Sequence, residues 1–210
     1  MPGRPRPGRF RTVLQPTLDP GTYAVVLAAG AARRFGGGKL TAMLNGRPLV
    51  SWSVEKALQT RVELVTVVLG ADAEAVAGAL PSDVRLRVIV CPDWEEGLSR
   101  SLRCGVQTLP DHARALLLFL GDMPDVSSAL ADRMLRLVLD GAPAAMPVCD
   151  GQPAHPVAIS AKLFPALRSL RGDQGARNVL RAASGAVEIA TDERGSITDV
   201  DTEADLRSLA

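Results

Sequence analysis

The residues best suited to chemistry lie in a glycine-rich, basic segment near the start of the chain. This segment runs from Leu27 through Gly30 to Lys39 and carries Arg34 among small side chains. Without bulky side chains, backbone N–H groups can approach phosphate oxygens closely, while arginine and lysine add positive charge to the same loop. The segment therefore predicts a binding site for a polyphosphate.

Two common phosphate-binding motifs do not match this segment. A Walker A motif needs Gly-Lys followed by Ser or Thr, whereas Lys39 is followed by Leu40. The dinucleotide motif Gly-x-Gly-x-x-Gly is also absent, because Ala32 stands two residues after Gly30. The remaining alternative from the residues alone is a solvated loop between a strand and a helix.

A carboxylate follows an apolar segment farther along the chain. Asp122 comes directly after the predicted strand Ala115–Leu120, and Pro124 stops that strand from continuing. A side chain at the carboxyl end of a parallel strand can face a ligand pocket, where hard oxygen ligands suit Mg²⁺. Asp122 is therefore a candidate metal ligand, although it can also cap a turn before Pro124.

The basic segment resembles the opening motif of the molybdopterin nucleotidyltransferases. These belong to the NTP-transferase superfamily, whose members condense a nucleoside triphosphate with a phosphorylated acceptor. The chain looks most like the molybdenum cofactor cytidylyltransferases, and the likeness extends across residues 23 to 209. Five further matching segments follow in the order that the family shows: Pro92–Gly105, Leu120–Pro124, His155–Val157, Gly172–Arg177 and Asp199–Leu206.

The resemblance implies a nucleotide site and a metal site. Lys39, Arg34 and Asp122 are the implied catalytic residues. Asp122 and Asp201 are the implied ligands of Mg²⁺, with Asp199 as the weaker alternative to Asp201. Capping is the competing explanation for Asp201 and Thr202, because Thr202-Glu-Ala-Asp205 reads as a capping box. The implied nucleotide-binding residues are Leu27, Ala28, Ala29, Gly30, Arg34, Lys39, Ser99 and Ser101, of which the two serines can also be ordinary helix caps.

One residue of the opening loop favours cytosine over guanine as the base of the nucleotide. Guanylyl-transferring relatives look like Leu-Ala-Gly-Gly in the opening loop, whereas this chain has Ala29 at the third position. Its methyl group occupies space that a purine can use. One methyl group typically changes discrimination by only about 1 to 3 kcal/mol.

The acceptor implied by the resemblance is molybdopterin, the pterin of the molybdenum cofactor, bound through its terminal phosphate near His155, Asp173 and Arg177. Each residue has a structural alternative: His155 can be a satisfied strand-edge residue, Asp173 can lie in a turn with Gly175, and Arg177 can be solvated on a helix. The chain departs from the family at Ala154, where glycine is common.

The implied reaction is Mg²⁺-dependent transfer of CMP from CTP to the terminal phosphate of molybdopterin, with release of pyrophosphate. A phosphate nucleophile is already ionised at neutral pH, so neither a general base nor a covalent intermediate is needed. Alternatives on the same scaffold are guanylyl transfer or transfer to another acceptor. A more distant alternative is a carrier that holds finished cofactor without chemistry. The implied macromolecular partner is a molybdenum hydroxylase client.

The composition is that expected of a soluble enzyme that acts on small molecules. The chain has 210 residues, 47% hydrophobic content and a net charge of +1, which gives no general attraction to nucleic acid or membranes. Aromatic residues make up only 3%, too few for base-stacking platforms. Neither a membrane helix nor a signal peptide is predicted, so we expect a cytoplasmic protein. The cysteines, Cys91, Cys104 and Cys149, are scattered, and we expect all three to be reduced.

The elements that position these residues alternate between strand-like and helix-like periodicity. The strand Tyr23–Ala28 precedes the basic loop, and the order that follows is helix 48–59, strand 64–69, helix 72–80, strand 86–90, helix 98–108 and strand 115–120. This order predicts an α/β fold, a Rossmann-like three-layer sandwich with a mostly parallel sheet. The resemblance implies the nucleotide-diphospho-sugar-transferase type of this fold. Residues 1–22 are predicted to be a disordered Pro/Arg-rich tail, followed by one domain over residues 23–210, with a nucleotide-binding part to about 145 and an acceptor-binding part from about 146.

Overall fold

Strands and helices alternate along most of the computed structural model, which describes residues 18–172 and 174–210. The strands are β1 (Thr22–Ala28), β2 (Met43–Leu44), β3 (Arg47–Pro48), β4 (Leu64–Leu69), β5 (Leu86–Val90), β6 (Ala115–Leu120), β7 (Ala144–Cys149), β8 (Gln152–Pro153), β9 (Val157–Ser160) and β10 (Val187–Thr191). The α-helices are α1 (Leu49–Leu58), α2 (Ala73–Gly78), α3 (Leu98–Gln107), α4 (Ser128–Leu139), α5 (Phe164–Arg168), α6 (Arg177–Ala182) and α7 (Glu203–Ser208).

Eight of the strands form one mixed sheet in the order β5-β4-β1-β6-β9-β7-β10, with β8 beside β7. The neighbours β5, β4, β1 and β6 are parallel, so their carboxyl ends meet at one edge. Strand β9 is antiparallel to both β6 and β7, and β10 is parallel to β7. The predicted mostly parallel sheet is confirmed, and β9 adds an antiparallel element.

Strand β1 shows why helices cover both faces of the sheet. All seven of its residues are buried, and alternate side chains enter two different hydrophobic clusters. Val26 joins the cluster with α1 and α4, whereas Val25 joins the cluster with α3 and α5. Because successive side chains of a strand point to opposite faces, this pattern produces the helix–sheet–helix layering of the predicted fold class.

The predicted element boundaries agree closely with the observed ones. The strands β4, β5 and β6 begin and end where the apolar segments do. Helices α1, α2 and α3 differ from prediction by one or two residues at their ends, where α-helices commonly fray. Mostly apolar segments bounded by polar or turn residues explain the agreement for these strands.

The described part of the predicted tail begins at Leu18. The backbone N–H of Asp19 donates to the carbonyl of Arg61 at 2.7 Å, and its carboxylate pairs with the Arg61 guanidinium at 3.0 Å. Contacts with the sheet region therefore reach back to residue 19. No helix among the described residues has the length and apolar character needed to cross a membrane.

The expectation that all three cysteines are reduced is wrong for two of them. Cys91, directly after β5, and Cys104, in α3, form a disulfide, and their Cα atoms are 6.0 Å apart. Helix α3 folds back beside the end of β5, so residues 13 positions apart in sequence become neighbours. Cys149 is buried and free.

Candidate nucleotide and metal site

The loop after β1 has a backbone that only its glycines adopt easily. Gly36, Gly37 and Gly38 have φ angles of 91°, 96° and 65°. A Cβ atom at Gly36 or Gly37 would meet nothing within 4 Å, so the requirement is conformational rather than steric. The N–H groups of Phe35 and Gly37 donate to the carbonyl of Ala32, which closes the loop into a compact turn.

Lys39, at the end of this loop, lies between two carboxylates. Its side chain is only 9% exposed, and its Nζ is 2.7 Å from Asp122 Oδ2 and 3.5 Å from Asp201 Oδ1. Arg34 pairs with the other oxygen of Asp201 at 2.7 Å, although its side chain is 78% exposed. Four predicted site residues, distant in sequence, thus form one charge network.

A backbone hydrogen bond explains why the carboxylates converge. The N–H of Val200 donates to the carbonyl of Asp122 at 3.0 Å, which places Asp199 and Asp201 on either side of that contact. Carboxylate oxygens of Asp122, Asp199 and Asp201 lie within 4.8 Å of one another. Burial, followed by repulsion from the two neighbouring carboxylates, raises the pKa of Asp199. Three crowded hard-oxygen donors suit a divalent cation such as Mg²⁺, whose charge would offset their repulsion.

Ser53, in α1, supports the turn that carries Asp122. Its Oγ lies 3.1 Å from the carbonyl oxygen of Gly121 and 3.0 Å from that of Met123, the two residues flanking the carboxylate. Ser53 is completely buried. Sequence reasoning missed this residue, because a serine inside an amphipathic helix carries no signal of its partner.

The predicted capping box at the start of α7 is present. The Thr202 hydroxyl accepts from the N–H of Asp205, and the Asp205 carboxylate accepts from the N–H of Thr202. The Thr202 hydroxyl also donates to the Asp205 carboxylate at 2.8 Å, and this bond, with the one from the Thr202 N–H, lowers the pKa of Asp205. Thr202 is therefore the cap, while the Asp201 side chain faces Lys39 and Arg34.

A cleft of about 500 Å³ opens above the carboxylates, between the glycine-rich loop and the loop before α3. Predicted nucleotide residues that line it are Leu27, Ala29, Gly30 and Ser101, together with the metal candidate Asp122. Ala28 is buried within β1, and Ser99 is buried in α3 without lining the cleft. The structure thus separates the two serines that the sequence treats alike.

Trp94 and Glu95 also line this cleft, and sequence reasoning gave them no role. Trp94 can come close because residue 70 is glycine: a Cβ atom there would lie 2.6 Å from Trp94 Cγ and 2.6 Å from the Ala29 carbonyl oxygen. Trp94 and Ala29 therefore form one wall of the cleft. The position of Trp94 within the matching segment 92–105 was the available signal.

Two ion pairs hold the loop that carries Trp94. Asp93 pairs with Arg100 at 2.6 Å, and Glu96 pairs with Arg103 at 3.6 Å. Both arginines belong to α3, so the loop is fastened to the helix that follows it. The wall of the cleft that contains Trp94 is therefore held in place by α3.

A second, mostly apolar pocket of about 300 Å³ adjoins the cleft and shares Leu27, Leu98 and Leu120 with it. His155 and Arg177, two of the predicted acceptor residues, supply its charged or titratable side chains. Nδ1 of His155 is buried without a hydrogen-bond partner among residues 18–172 and 174–210. Burial lowers the pKa of this imidazole, so it is neutral at pH 7. The third predicted acceptor residue, Asp173, lies outside the described residues.

Known proteins are similar to this chain in sequence. The family model of the MobA-like NTP transferase domain matches residues 24–187. PucB of Bacillus subtilis (strain 168), a purine catabolism protein, is 32% identical over 88% of this chain and 93% of its own length. Nicotine blue oxidoreductase of Paenarthrobacter nicotinovorans is 33% identical over 87% of this chain and 93% of its own length.

Solved structures support the same assignment. Rv0371c from Mycobacterium tuberculosis H37Rv is 28% identical, with a TM-score of 0.79 over 90% of this chain and 96% of that one. A crystal structure of Rv0371c in complex with manganese has a TM-score of 0.75 over the same shares of the two chains, at 26% identity. A divalent cation in that protein agrees with the carboxylate cluster in this one. The chain belongs to the MobA-like NTP transferase family.

Proposed function

We propose that the protein transfers CMP from CTP to the terminal phosphate of molybdopterin, giving the cytosine dinucleotide form of the cofactor and pyrophosphate. The observation that carries this proposal is the charge network of Lys39, Asp122 and Asp201. Its member Asp122 lines the nucleotide cleft two residues after Leu120, which the cleft shares with the apolar pocket. Two substrates bound in these neighbouring sites would bring their phosphates to the same charged network. A molybdenum hydroxylase remains the proposed client of the product.

The charged residues act by positioning and neutralisation. Arg34 and Lys39, both in the glycine-rich loop, line one cavity together with Asp201, where they can pair with the triphosphate and with the departing pyrophosphate. Asp122 and Asp201, with Asp199 beside them, would hold Mg²⁺. The bound cation would supply electrostatic stabilisation of the negative charge that develops at the α-phosphate and leaving group.

The acceptor site is proposed to be the apolar pocket. Its leucine-rich walls can cover the face of a planar heterocycle, and Arg177 can pair with an anionic group. Neutral His155 can form a hydrogen bond to the acceptor through Nδ1. Asp173 completes the proposed set on the evidence of the sequence resemblance alone.

Cytosine recognition is proposed to involve the wall formed by Ala29 and Trp94. The Ala29 residue is 5% exposed and lines the cleft, so its methyl group limits the space beside Gly70. Trp94 offers an aromatic surface on the same side. A pyrimidine needs less of this space than a purine.

The first experiment measures pyrophosphate release with CTP and with GTP, each with and without freshly liberated molybdenum cofactor. We expect release only when Mg²⁺, CTP and cofactor are all present. Equal release with GTP would contradict the cytosine assignment but retain nucleotidyl transfer. Release that needs no cofactor would point to a different acceptor.

Matched variants test the chemistry itself. Asp122→Asn should lower kcat by about a hundredfold or more, because it removes a carboxylate ligand of the cation that would stabilise the charge at the reacting phosphate. Asp111→Asn, an exposed residue before β6 at the opposite edge of the sheet, should leave the rate unchanged. If the protein binds cofactor but neither variant nor wild type releases pyrophosphate with any nucleotide, the carrier alternative is supported.

A further inference from the structure

Strand β5 forms one outer edge of the sheet and carries much of the exposed apolar surface. Six large hydrophobic residues are exposed within the described ranges 18–172 and 174–210, and three of them lie in or beside β5. These are Val84, Val88 and Val90, exposed by 99%, 42% and 60%. The strand pairs with β4 on its inner side only.

The backbone of β5 directs one set of residues outward. The carbonyl of Arg85 accepts from the N–H of Val65, and the N–H of Cys91 donates to the carbonyl of Leu69. The backbone N–H and C=O groups of the odd-numbered residues therefore point toward β4. Backbone N–H and C=O groups alternate between the two edges of a strand. Those of the even-numbered residues therefore point away from β4, toward the open edge of the sheet. Val88 and Val90 present N–H and C=O groups that find no partner among residues 18–172 and 174–210. At Leu86 only the carbonyl is open, because its N–H donates to the carbonyl of Asp83 at 3.1 Å.

The edge lacks the features that usually prevent strand pairing. It contains neither proline nor lysine, and its single charge, Arg87, lies on the opposite face from the exposed valines. The other outer strand, β10, differs because its exposed Glu188 places a carboxylate on that edge. Only β5 combines open backbone groups with exposed β-branched side chains in the described sheet.

We propose that β5 is a homodimerisation strand that pairs antiparallel with β5 of a second copy, about a twofold axis through Val88. In this register Val88 faces its own counterpart, and Leu86 faces Val90 of the second copy. Their open backbone groups form four hydrogen bonds across the seam: two between the Val88 residues, and one from each Val90 N–H to the Leu86 carbonyl of the second copy. A twofold axis through Arg87 or Ile89 would instead centre the seam on residues that already bond to β4.

The charges are compatible with this register. Arg87 faces Ile89 of the second copy and so avoids a like charge directly opposite. The nearest acidic residues beyond the strand are already paired within their own chain: Asp83 with Arg85 at 3.6 Å, and Asp93 with Arg100 at 2.6 Å. The strand is therefore self-complementary in hydrogen bonding, and this register sets no like charges directly opposite each other.

The seam would lie beside the nucleotide cleft. Residues 92–97, which carry Trp94, follow β5 directly in the chain. Pairing of β5 with a second copy would support the start of this loop in each subunit. This proposal concerns assembly and does not depend on which reaction the protein catalyses.

Sedimentation equilibrium of the full chain tests the proposal. We expect the wild type to dimerise and Val88→Lys to weaken association by roughly tenfold or more, because two ammonium groups would face each other across the axis. Met43→Lys is the matched control, since Met43 is 59% exposed in the β2–β3 hairpin, away from β5. It should dimerise like the wild type.

Amide hydrogen exchange gives a second measurement at single-residue resolution. The N–H groups of Val88 and Val90 should become protected as protein concentration rises, and this protection should disappear in Val88→Lys. A thermal unfolding scan checks that the variant is folded. A monomeric wild type, a dimer that survives Val88→Lys, or unprotected amides in the dimer would each overturn the proposal.

Discussion

Ala29 is the residue at which nucleotide choice can be tested most directly. It lines the cleft beside Gly70 and Trp94, where removal of one methyl group enlarges the space for a base. We expect Ala29→Gly to shift the ratio of kcat/KM for CTP over GTP toward GTP by about tenfold or more, which corresponds to about 1 to 3 kcal/mol. Steady-state pyrophosphate release with each nucleotide measures the ratio.

The matched control is Ala142→Gly, in the turn between α4 and β7, which adds the same backbone freedom far from the cleft. Its CTP/GTP ratio should equal that of the wild type. An unchanged ratio in Ala29→Gly would show that the methyl group does not select the base.

His155 predicts an acid-dependent loss of stability. Burial lowers its pKa below the ordinary value of 6.5, so the unfolded chain binds this proton more readily than the folded chain. His155 therefore does not reduce the free energy of unfolding above about pH 6.5. As the pH decreases below that value, the free energy of unfolding falls by at most about 1.4 kcal/mol per pH unit. Urea unfolding at pH 7.5, 6.5 and 5.5 should show a smaller acid-dependent loss in His155→Gln than in the wild type.

The second histidine provides the control. His112→Gln should retain the acid-dependent loss because His155 is still present. Equal pH dependence in the wild type and His155→Gln would mean that another group causes it.

The predictability of individual residues depended on where their partners lie. Lys39 and Asp122 were recognisable because each lies in a loop that follows an apolar strand, and the loop of Lys39 is rich in small residues. Ser53 was not recognisable, because its contacts with the Asp122 turn arise from packing of α1 against the sheet. The pairing of Cys91 with Cys104 was hidden for the same reason.

At the scale of elements, the cap of α7 is a local feature with a measurable effect. The Thr202 hydroxyl accepts from the Asp205 N–H at 3.2 Å, which satisfies a donor that the helix leaves free. Thr202→Ala should lower the free energy of unfolding by about 0.5 to 2 kcal/mol. Urea unfolding at pH 7 measures this change, and Thr202→Ser should restore most of it because serine keeps the accepting hydroxyl. Equal losses in both variants would exclude the cap as the cause.

Periodicity predicted the parallel elements better than the rest. Strands β4, β5 and β6 are mostly apolar segments of five or six residues, whose ends are marked by polar or turn residues. Strand β9 has only four residues, and its antiparallel position between β6 and β7 depends on long-range pairing. Local sequence does not encode such pairing, which explains why the acceptor side of the sheet was less defined in the prediction.

For the whole molecule, the binding of a divalent cation should stabilise the folded chain. A ligand that binds only the folded chain stabilises it by about 2.7 kcal/mol at a hundred times its Kd. For a protein of this size, Mn²⁺ or Mg²⁺ at that excess should raise Tm by about 5 to 10 °C. The double variant Asp122→Asn/Asp201→Asn should lose this shift, as measured by differential scanning calorimetry.

Asp111→Asn is again the control, and its Tm should rise with the cation as in the wild type. A full shift in the double variant would place the cation elsewhere. Chelation with EDTA should reverse the shift in the wild type.

The position of Lys39 between Asp122 and Asp201 has a consequence for the order of binding. The ammonium group acts as a tethered counterion, so a free cation entering alone must compete with it for the carboxylates. A nucleotide changes this competition, because its phosphates offer the ammonium another anionic partner. Cation and nucleotide should therefore each increase the affinity for the other, as reciprocal coupling requires. The site would exchange the Lys39 ammonium for the metal ion at the two carboxylates, and this exchange would occur when the nucleotide binds.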